Sequence, residues 1–231
     1  MLYIDIFLYR YIFMENYRSC YTISVLQQKG GAGKTTIATN LAYYFSIANY
    51  NTLLVDSDPN QRSARDWHAA NDGQLVTCIG LDTETLPKDL KSISEPFDIV
   101  IIDGTPQIAK LSVAAILASD LILIPVQPSP YDVWATADLV ELIKTRRAIN
   151  NENPQAAFIL SRVIKNTLLS KEVTEALQEY SFPILDSVTT QRVDYATSAS
   201  SGNSVLHKPN SQAAFEINRL GAEILVKYIE S

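Results

Sequence analysis

The feature that most restricts the fold of this chain is a glycine-rich loop between a strand-like segment and a helix-like segment. The loop reads Lys29-Gly30-Gly31-Ala32-Gly33-Lys34-Thr35-Thr36. Glycines let successive backbone N–H groups turn inward around a phosphate, and the dipole of the following helix adds to the attraction. The Lys34 ammonium can reach the outer phosphates, and the Thr35 hydroxyl can bind Mg²⁺. We therefore predict a nucleotide-binding loop formed by Gly30, Gly31, Ala32, Gly33, Lys34, Thr35 and Thr36.

Apolar segments of strand length alternate with longer amphipathic segments along the rest of the chain. The strand-like segments occupy residues 21–26, 52–55, 99–102, 121–124 and 157–160. They lack polar alternation, which is typical of strands buried on both faces of a sheet. Helical periodicity occupies residues 34–48, 109–118 and 134–149. This order predicts an α/β fold of the P-loop NTPase kind, with a largely parallel twisted sheet flanked by helices on both faces.

The chain has 231 residues, which suits one sizeable domain, and no linker or internal repeat interrupts the pattern. We place this domain at residues 20–231 and interpret residues 1–19 as an N-terminal extension. The aromatic-rich stretch 1–13 is too short to span a bilayer, carries two charged residues and lacks a signal-peptide cleavage site. We hypothesise that the natural start is Met14, so that this stretch is not native.

The cysteines and histidines exclude several classes of site. Cys20 and Cys78 form no CxxC pair, and His68 and His207 stand alone in the sequence. A disulfide framework, a zinc site and iron–sulfur chemistry are therefore not expected, and a reducing cytoplasmic location is the simpler interpretation. No catalytic Ser-His-Asp set or cysteine nucleophile is evident either, which leaves the phosphate loop as the centre of the chemistry.

Acidic residues follow two of the strand-like segments. In a parallel sheet, ligands bind beyond the carboxyl ends of the strands, where the phosphate loop, Asp56, Asp58 and Asp103 all fall. Asp103 ends a segment of the Walker B form and can hold Mg²⁺ through water. One aspartate after a strand is commonly a helix N-cap, but three at the phosphate edge favour a metal site.

The phosphate loop departs from the usual G-x-x-x-x-G-K-[ST] pattern, because Gln28 occupies the first glycine position and Lys29 follows it. In this respect it resembles the deviant Walker A loop of the ParA/MinD family, the SIMIBI-class partition ATPases. The resemblance implies that Lys29 reaches across a nucleotide-sandwich dimer to the partner's phosphates. The segment 53–60 looks like the family's second acidic motif, which implies that Asp56 lies near the metal and that Asp58 positions the attacking water. Lys29, Lys34 and Asp58 are thus the candidate catalytic residues, and Thr35, Asp56 and Asp103 the candidate metal residues.

The resemblance covers about residues 20–230 and is greatest to small ParA-type partition ATPases without an N-terminal helix-turn-helix domain. Residues 122–132 and Thr190-Gln191-Arg192 carry much of it. Arg162 resembles an adenine-side residue of the family, and the Asn-Lys-x-Asp motif of guanine readers is not found at this position. The implied cofactors are ATP and Mg²⁺. The implied function is slow, partner-stimulated ATP hydrolysis in plasmid or chromosome segregation, by an ATP-dependent homodimer that binds nonspecific DNA and a centromere-binding protein.

The overall net charge of −6 opposes DNA binding, so any DNA contact requires a local basic patch. Arg192 falls where the resemblance suggests a DNA-contacting arginine. We predict that Arg192, Arg219 and Lys208 contribute to this patch, and other candidate cations are Lys144, Arg146, Arg147 and Lys165. The competing interpretation is that these residues are scattered, solvated charges.

Two other functions remain open on the same fold. One is a membrane-positioning switch similar to MinD, for which an apolar helical face near the C-terminus is the candidate anchor: Ala214, Ile217, Leu220, Ile224, Leu225 and Tyr228. Its polar face is mixed rather than lysine- and arginine-rich, which favours packing onto the sheet and no membrane partner. The other is a ligase similar to dethiobiotin synthetase, whose ATP turnover would require a small substrate and ignore DNA.

Overall fold

The computed structural model describes residues 20–106, 110–164 and 168–230. The predicted N-terminal extension at 1–19, the hypothesised start at Met14 and the candidate cation Lys165 lie outside these residues. The strands of the described part are β1 (Tyr21–Val25), β2 (Thr52–Asp56), β3 (Thr77–Gly80), β4 (Ile99–Asp103), β5 (Leu121–Val126) and β6 (Gln155–Leu160). They form one sheet in the order β3-β2-β4-β1-β5-β6, and every neighbouring pair is parallel. The predicted parallel α/β fold is confirmed.

Helices connect and cover these strands. The α-helices of the described residues are α1 (Lys34–Ile47), α2 (Ser63–Ala70), α3 (Leu86–Ile93), α4 (Lys110–Ala118), α5 (Pro130–Trp134), α6 (Ala137–Ile149), α7 (Leu168–Gln178), α8 (Val193–Ser200) and α9 (Gln212–Ile224). A 3₁₀ turn at Val205–His207 precedes α9, and a π-helical turn at Leu225–Ile229 follows it. None of the helices in the described residues is long and apolar enough to cross a membrane.

Successive side chains of each strand enter two separate cores, one on each face of the sheet. In β4, Ile99 and Ile101 belong to the core that also contains side chains of α1, α2 and α9. Val100 and Ile102 belong to the core on the other face, which contains side chains of α3, α4, α6 and α7. All four residues are at most 1% exposed, which explains why the strand sequence shows no polar alternation.

Several predicted element boundaries were wrong by one to three residues. The helix expected over 134–149 begins only at Ala137, as α6, and Trp134 is the last residue of the separate helix α5. Between them, the Thr136 hydroxyl donates to the Asp132 carbonyl at 2.9 Å and competes with the helical backbone bonds there. Strand β5 continues past the expected end at Ile124 to Val126, whose carbonyl accepts a hydrogen bond from the Ser161 N–H.

The C-terminal apolar face packs against the protein, as predicted. Ile217, Leu220 and Ile224 of α9 are fully buried, and the latter two share a core with strand residues of the sheet. Contact with α1 is close, because a Cβ atom added at Gly221 would lie 2.3 Å from ring atoms of Tyr44. This apolar surface is therefore used within the described fold.

Candidate functional site

The phosphate loop joins β1 to α1 at the carboxyl edge of the sheet, near its middle. Gly31 and Gly33 have φ angles of 77° and 97°, in the left-handed region that favours glycine. The Gly33 carbonyl accepts the N–H of Ile37 at 2.9 Å, which begins the helix directly after the loop. Lys34 is 7% exposed, and its Nζ donates to the Lys29 carbonyl at 3.2 Å. The loop therefore forms a cradle for phosphate, and the Lys34 side chain folds back over it.

A cavity of about 520 Å³ opens over this cradle. On one side it is lined by residues 30, 31 and 33–37, together with Asp58 and Asp103, whereas Ala32 of the loop is fully buried. The opposite wall is formed by Arg162 and by residues 189–193. The structure thus brings the predicted phosphate residues, two of the predicted carboxylates and the predicted adenine-side arginine to one cavity.

Thr35 and Asp103 form a hydrogen-bonded pair at the end of β4. The Thr35 hydroxyl donates to Asp103 Oδ2 at 2.7 Å, while the buried Oδ1 has no hydrogen-bond partner. Burial raises the pKa of Asp103 to about 7, with Asp56 and Asp58 adding to the rise against the opposing effects of Thr35 and Lys34. A buried carboxylate with one unsatisfied oxygen fits a divalent cation, which would compensate its desolvated charge.

Thr35 and Asp103 are therefore the residues that would hold Mg²⁺. Within the described residues, no group of at least three His, Cys, Asp or Glu side chains could hold a metal ion. Mg²⁺ commonly binds through one or two protein groups together with water and substrate phosphates, and Thr35 and Asp103 are two such groups. Bound Mg²⁺ would neutralise the phosphate oxygens during phosphoryl transfer.

Asp56 is buried, and both of its carboxylate oxygens accept hydrogen bonds from the protein. Oδ1 accepts the Asp58 N–H and Oδ2 accepts the Arg65 N–H, each at 3.0 Å. Asp58 Oδ1 accepts the N–H groups of Asn60 and Gln61 at 2.9 and 3.1 Å. Metal binding by Asp56 and water positioning by Asp58 remain predictions.

Lys29 turns away from the cradle that Lys34 occupies. Its ammonium contacts the carboxylate of Asp132 on α5, which is completely buried, while the Lys29 side chain is 37% exposed. The two lysines of the loop therefore have different positions: one caps the phosphate cradle, and the other lies on the outer side of the same edge.

A model described as the CobQ/CobB/MinD/ParA nucleotide binding domain matches residues 23–205. The chain belongs to this family. It is 29% identical over 210 residues to the maintenance of carboxysome distribution protein A of Halothiobacillus neapolitanus, a match that covers 89% of this chain and 96% of the relative. It is 27% identical over 241 residues to the chromosome-partitioning ATPase Soj of Thermus thermophilus, covering 90% and 97%.

The fold is shared with a solved structure of the septum site-determining protein MinD from Pyrococcus horikoshii, complexed with Mg-ADP. The TM-score is 0.74 at 18% sequence identity, and the match covers 92% of this chain and 98% of that one. This chain is therefore a ParA/MinD-family ATPase, and its cofactors are ATP and Mg²⁺.

Arg162 connects the two walls of the ATPase cavity. Its Nη1 donates to the Gly31 carbonyl and its Nε to Gln191 Oε1, both at 2.9 Å. The backbone of Arg162 is in the left-handed region, with a φ of 52°. The predicted role of Arg162 beside adenine is compatible with this position and stays a prediction.

The predicted DNA residues surround a small core formed by Tyr195 of α8, Val205 and two residues of α9. Lys208 and Arg219 are exposed. Arg192 is half-buried, because its Nε forms an ion pair with Glu216 of α9 at 3.0 Å. Glu216 also accepts hydrogen bonds from Thr190 and Tyr195. The Arg192 side chain thus helps to hold the cavity wall, and its contact with DNA stays a prediction.

Sequence analysis missed four residues that shape this site: Gln127, Asp132, Arg65 and Glu216. Gln127 Nε2 donates to the Gly31 carbonyl at 2.8 Å. Asp132 contacts Lys29, Arg65 holds Asp58, and Glu216 holds the 190–195 segment. A signal exists for Gln127 and Asp132, because both lie in the segment 122–132 that carries the family resemblance. Arg65 and Glu216 have no local pattern that distinguishes them from ordinary surface residues.

Proposed function

We propose that this ATPase is a dimerising switch for DNA partition. ATP closes a two-fold dimer, the dimer binds nonspecific DNA on the nucleoid, and a centromere-binding protein stimulates slow hydrolysis that opens it. The observation that carries the proposal is the position of Lys29. An ammonium at the outer side of the phosphate edge is suited to supply charge to a phosphoryl group held by a second copy, as an arginine finger does.

The names of two relatives support a positioning role. One relative is called a chromosome-partitioning ATPase and another maintains carboxysome distribution. Both names describe the placement of a large cargo in the cell rather than the conversion of a small metabolite. Of the two cargoes, DNA is preferred here, because Lys208 and Arg219 are exposed around the same small core and a dimer would double the patch.

The test measures ATP hydrolysis with and without nonspecific duplex DNA, and follows dimerisation by size exclusion with ATP. Wild type is compared with Lys29→Gln, with Asp58→Ala and with Lys91→Gln, a control that removes an exposed lysine on α3. We expect an ATP-dependent dimer in wild type and in the control, no dimer in Lys29→Gln, and in Asp58→Ala a dimer whose hydrolysis is strongly reduced but still measurable. DNA should bind only to the dimer.

An ATP-bound monomer that is indifferent to DNA would contradict the proposal and favour a small-molecule enzyme. The relative named for carboxysome distribution gives a second candidate, in which the cargo is a protein body. In that case hydrolysis should respond to a cargo-bound protein and not to a centromere complex. Co-sedimentation with liposomes and ATP tests the membrane alternative, for which the candidate anchor residues Ile217, Leu220 and Ile224 of α9 are already buried.

A further inference from the structure

We propose that Arg65 is a positioning residue for ATP hydrolysis, which acts by holding the backbone of Asp58. Arg65 lies on α2, in the part of the chain that follows β2 and the acidic segment. The proposal rests on the proposed role of Asp58 in orienting the attacking water. It assigns a function to a residue that does not line the nucleotide cavity.

The backbone of Asp58 is held from both sides by an aspartate–arginine pair. The Asp58 N–H donates to Asp56 Oδ1 at 3.0 Å, and the Asp58 carbonyl accepts Nη2 of Arg65, also at 3.0 Å. Asp56 and Arg65 also contact each other: Asp56 Oδ2 accepts the Arg65 backbone N–H at 3.0 Å and lies 3.5 Å from Arg65 Nε. One ion pair thus holds both backbone groups of Asp58, the N–H and the carbonyl, on either side of the Cα that carries the side chain.

The surroundings of Arg65 are arranged to accommodate a guanidinium in this position. Asp56 is completely buried, so its charge requires a partner, and Nη2 of Arg65 also lies 3.3 Å from Asp82. Gly80 at the end of β3 leaves the necessary space. A Cβ atom added at Gly80 would lie 2.6 Å from Nη1 and 2.9 Å from Cζ of Arg65. Any larger residue at this position would displace the guanidinium.

The consequence for catalysis follows from how Asp58 is held. Its Oδ1 already accepts the backbone N–H groups of Asn60 and Gln61, and Oδ2 takes no part in those bonds. Asp58 is 7% exposed and lines the cavity beside the phosphate loop. A carboxylate that orients water must keep its position to within a fraction of an ångström, and the Asp56–Arg65 pair supplies that constraint. The hydrogen bonds and ion pairs of Arg65 go to Asp56, Asp58 and Asp82, which lie outside the phosphate loop, so ATP binding should not depend on it.

The experiment compares kcat for ATP hydrolysis with Kd for a non-hydrolysable ATP analogue and Mg²⁺ in five variants of the full chain. Arg65→Leu removes the guanidinium, whereas Gly80→Ala keeps Arg65 but displaces the end of its flexible side chain. The double variant Arg65→Leu/Gly80→Ala tests whether these two substitutions act through the same contact. Asp58→Ala and the double variant Asp58→Ala/Arg65→Leu test whether Arg65 acts through Asp58.

Arg147→Leu is the matched control. Arg147 also binds a carboxylate and a backbone carbonyl, both of Glu152, but it lies on α6 away from the site. Its substitution should leave kcat and Kd unchanged.

We expect Arg65→Leu to lower kcat by about 10- to 100-fold, with Kd changed by less than about threefold. Gly80→Ala should lower kcat by a smaller factor, and the kcat of Arg65→Leu/Gly80→Ala should equal that of Arg65→Leu alone. Arg65→Leu should cause no further loss in the Asp58→Ala background. Thermal melting checks folding, and if Arg65→Leu does not fold, Gly80→Ala decides the question because it retains every side chain.

An unchanged kcat in Arg65→Leu, a parallel loss of ATP affinity, or additive effects with Gly80→Ala or Asp58→Ala would each overturn the assignment. Size exclusion with ATP and DNA binding are measured on the same proteins. A wild type that hydrolyses ATP but neither dimerises nor binds DNA would contradict the partition proposal and leave the comparison of kcat with Kd intact.

Discussion

Among single residues, the contact between Lys29 and Asp132 has the most direct consequence for a dimerising switch. Asp132 is completely buried, and its Oδ1 has no hydrogen-bond partner, so its charge is compensated mainly by the Lys29 ammonium. In the proposed dimer, Lys29 must leave this carboxylate to reach the phosphates of the second copy. The ion pair therefore opposes dimerisation in the absence of ATP, and its strength affects how much ATP is needed.

Replacement of Asp132 by asparagine should lower this cost. We expect Asp132→Asn to dimerise at an ATP concentration about tenfold lower than wild type, the change produced by about 1.4 kcal/mol. Analytical size exclusion or light scattering over an ATP titration measures it. Asp138→Asn on α6 is the control, because Asp138 is exposed. A variant that needs as much ATP as wild type, or more, would show that Asp132 does not restrain Lys29.

At the level of elements, Glu216 joins the cavity wall to the C-terminal helix. This carboxylate on α9 is 6% exposed and accepts hydrogen bonds from Thr190 N–H and Oγ1, Arg192 Nε and Tyr195 OH. Burial raises the pKa of Glu216, but the bonds from these donors outweigh that effect and bring the pKa below its ordinary value of 4.5. A group with a lowered pKa stabilises the folded state when ionised.

The pH dependence of stability follows from this sign. We expect Glu216→Gln to reduce the free energy of unfolding by about 2 kcal/mol at pH 7, since charge-assisted bonds are lost. The difference from wild type should shrink as pH falls below 4.5, where the unfolded chain takes up a proton at this position before folded Glu216 does, and its pH-dependent part should be lost below the lowered pKa of Glu216. Urea unfolding at several pH values measures it. Glu141→Gln on the exposed surface of α6 should change stability by less than about 0.5 kcal/mol, and a pH-independent deficit in Glu216→Gln would contradict the argument.

For the whole molecule, the electrostatic balance limits how DNA can be bound. The net charge is −6, so a monomer repels DNA at long range and only a local patch attracts it. Lys208 follows the 3₁₀ turn that packs on α9, and Arg219 lies on α9 itself. A two-fold dimer presents each of these cations twice, which increases the attraction without changing the fold.

Salt dependence distinguishes this patch from scattered charges. For the ATP dimer, log K for nonspecific duplex DNA should fall linearly with log salt, with a slope of about −0.9 for each phosphate contacted. Lys208→Ala and Arg219→Ala should each reduce the magnitude of the slope by about two in the dimer, since each residue occurs twice. Lys91→Ala on α3 should leave it unchanged. Slopes identical to wild type in both patch variants would place the DNA surface elsewhere.

Local sequence patterns were enough to predict a parallel sheet and the edge at which its ligands bind. The phosphate loop depends on residue types within eight consecutive positions, and buried parallel strands depend on short apolar runs. The strand-end aspartates follow from the same local pattern, because every parallel strand carries its carboxyl end to one edge. Asp56 and Asp103 are accordingly register partners in β2 and β4. These features are local in the chain, so periodicity and composition were sufficient to find them.

Which side chains restrain the catalytic ones depends on contacts between distant parts of the chain. Lys29 and Asp132 are separated by 103 positions in the chain, and the space for Arg65 is provided by a glycine on a different strand. Glu216 accepts a hydrogen bond from Thr190, which is 26 positions away in the chain. Such contacts depend on how helices pack on the sheet, and their residues, taken singly, are ordinary surface charges in the sequence. Long-range packing, rather than any motif, therefore decides how Lys29, Asp58 and the cavity wall are held.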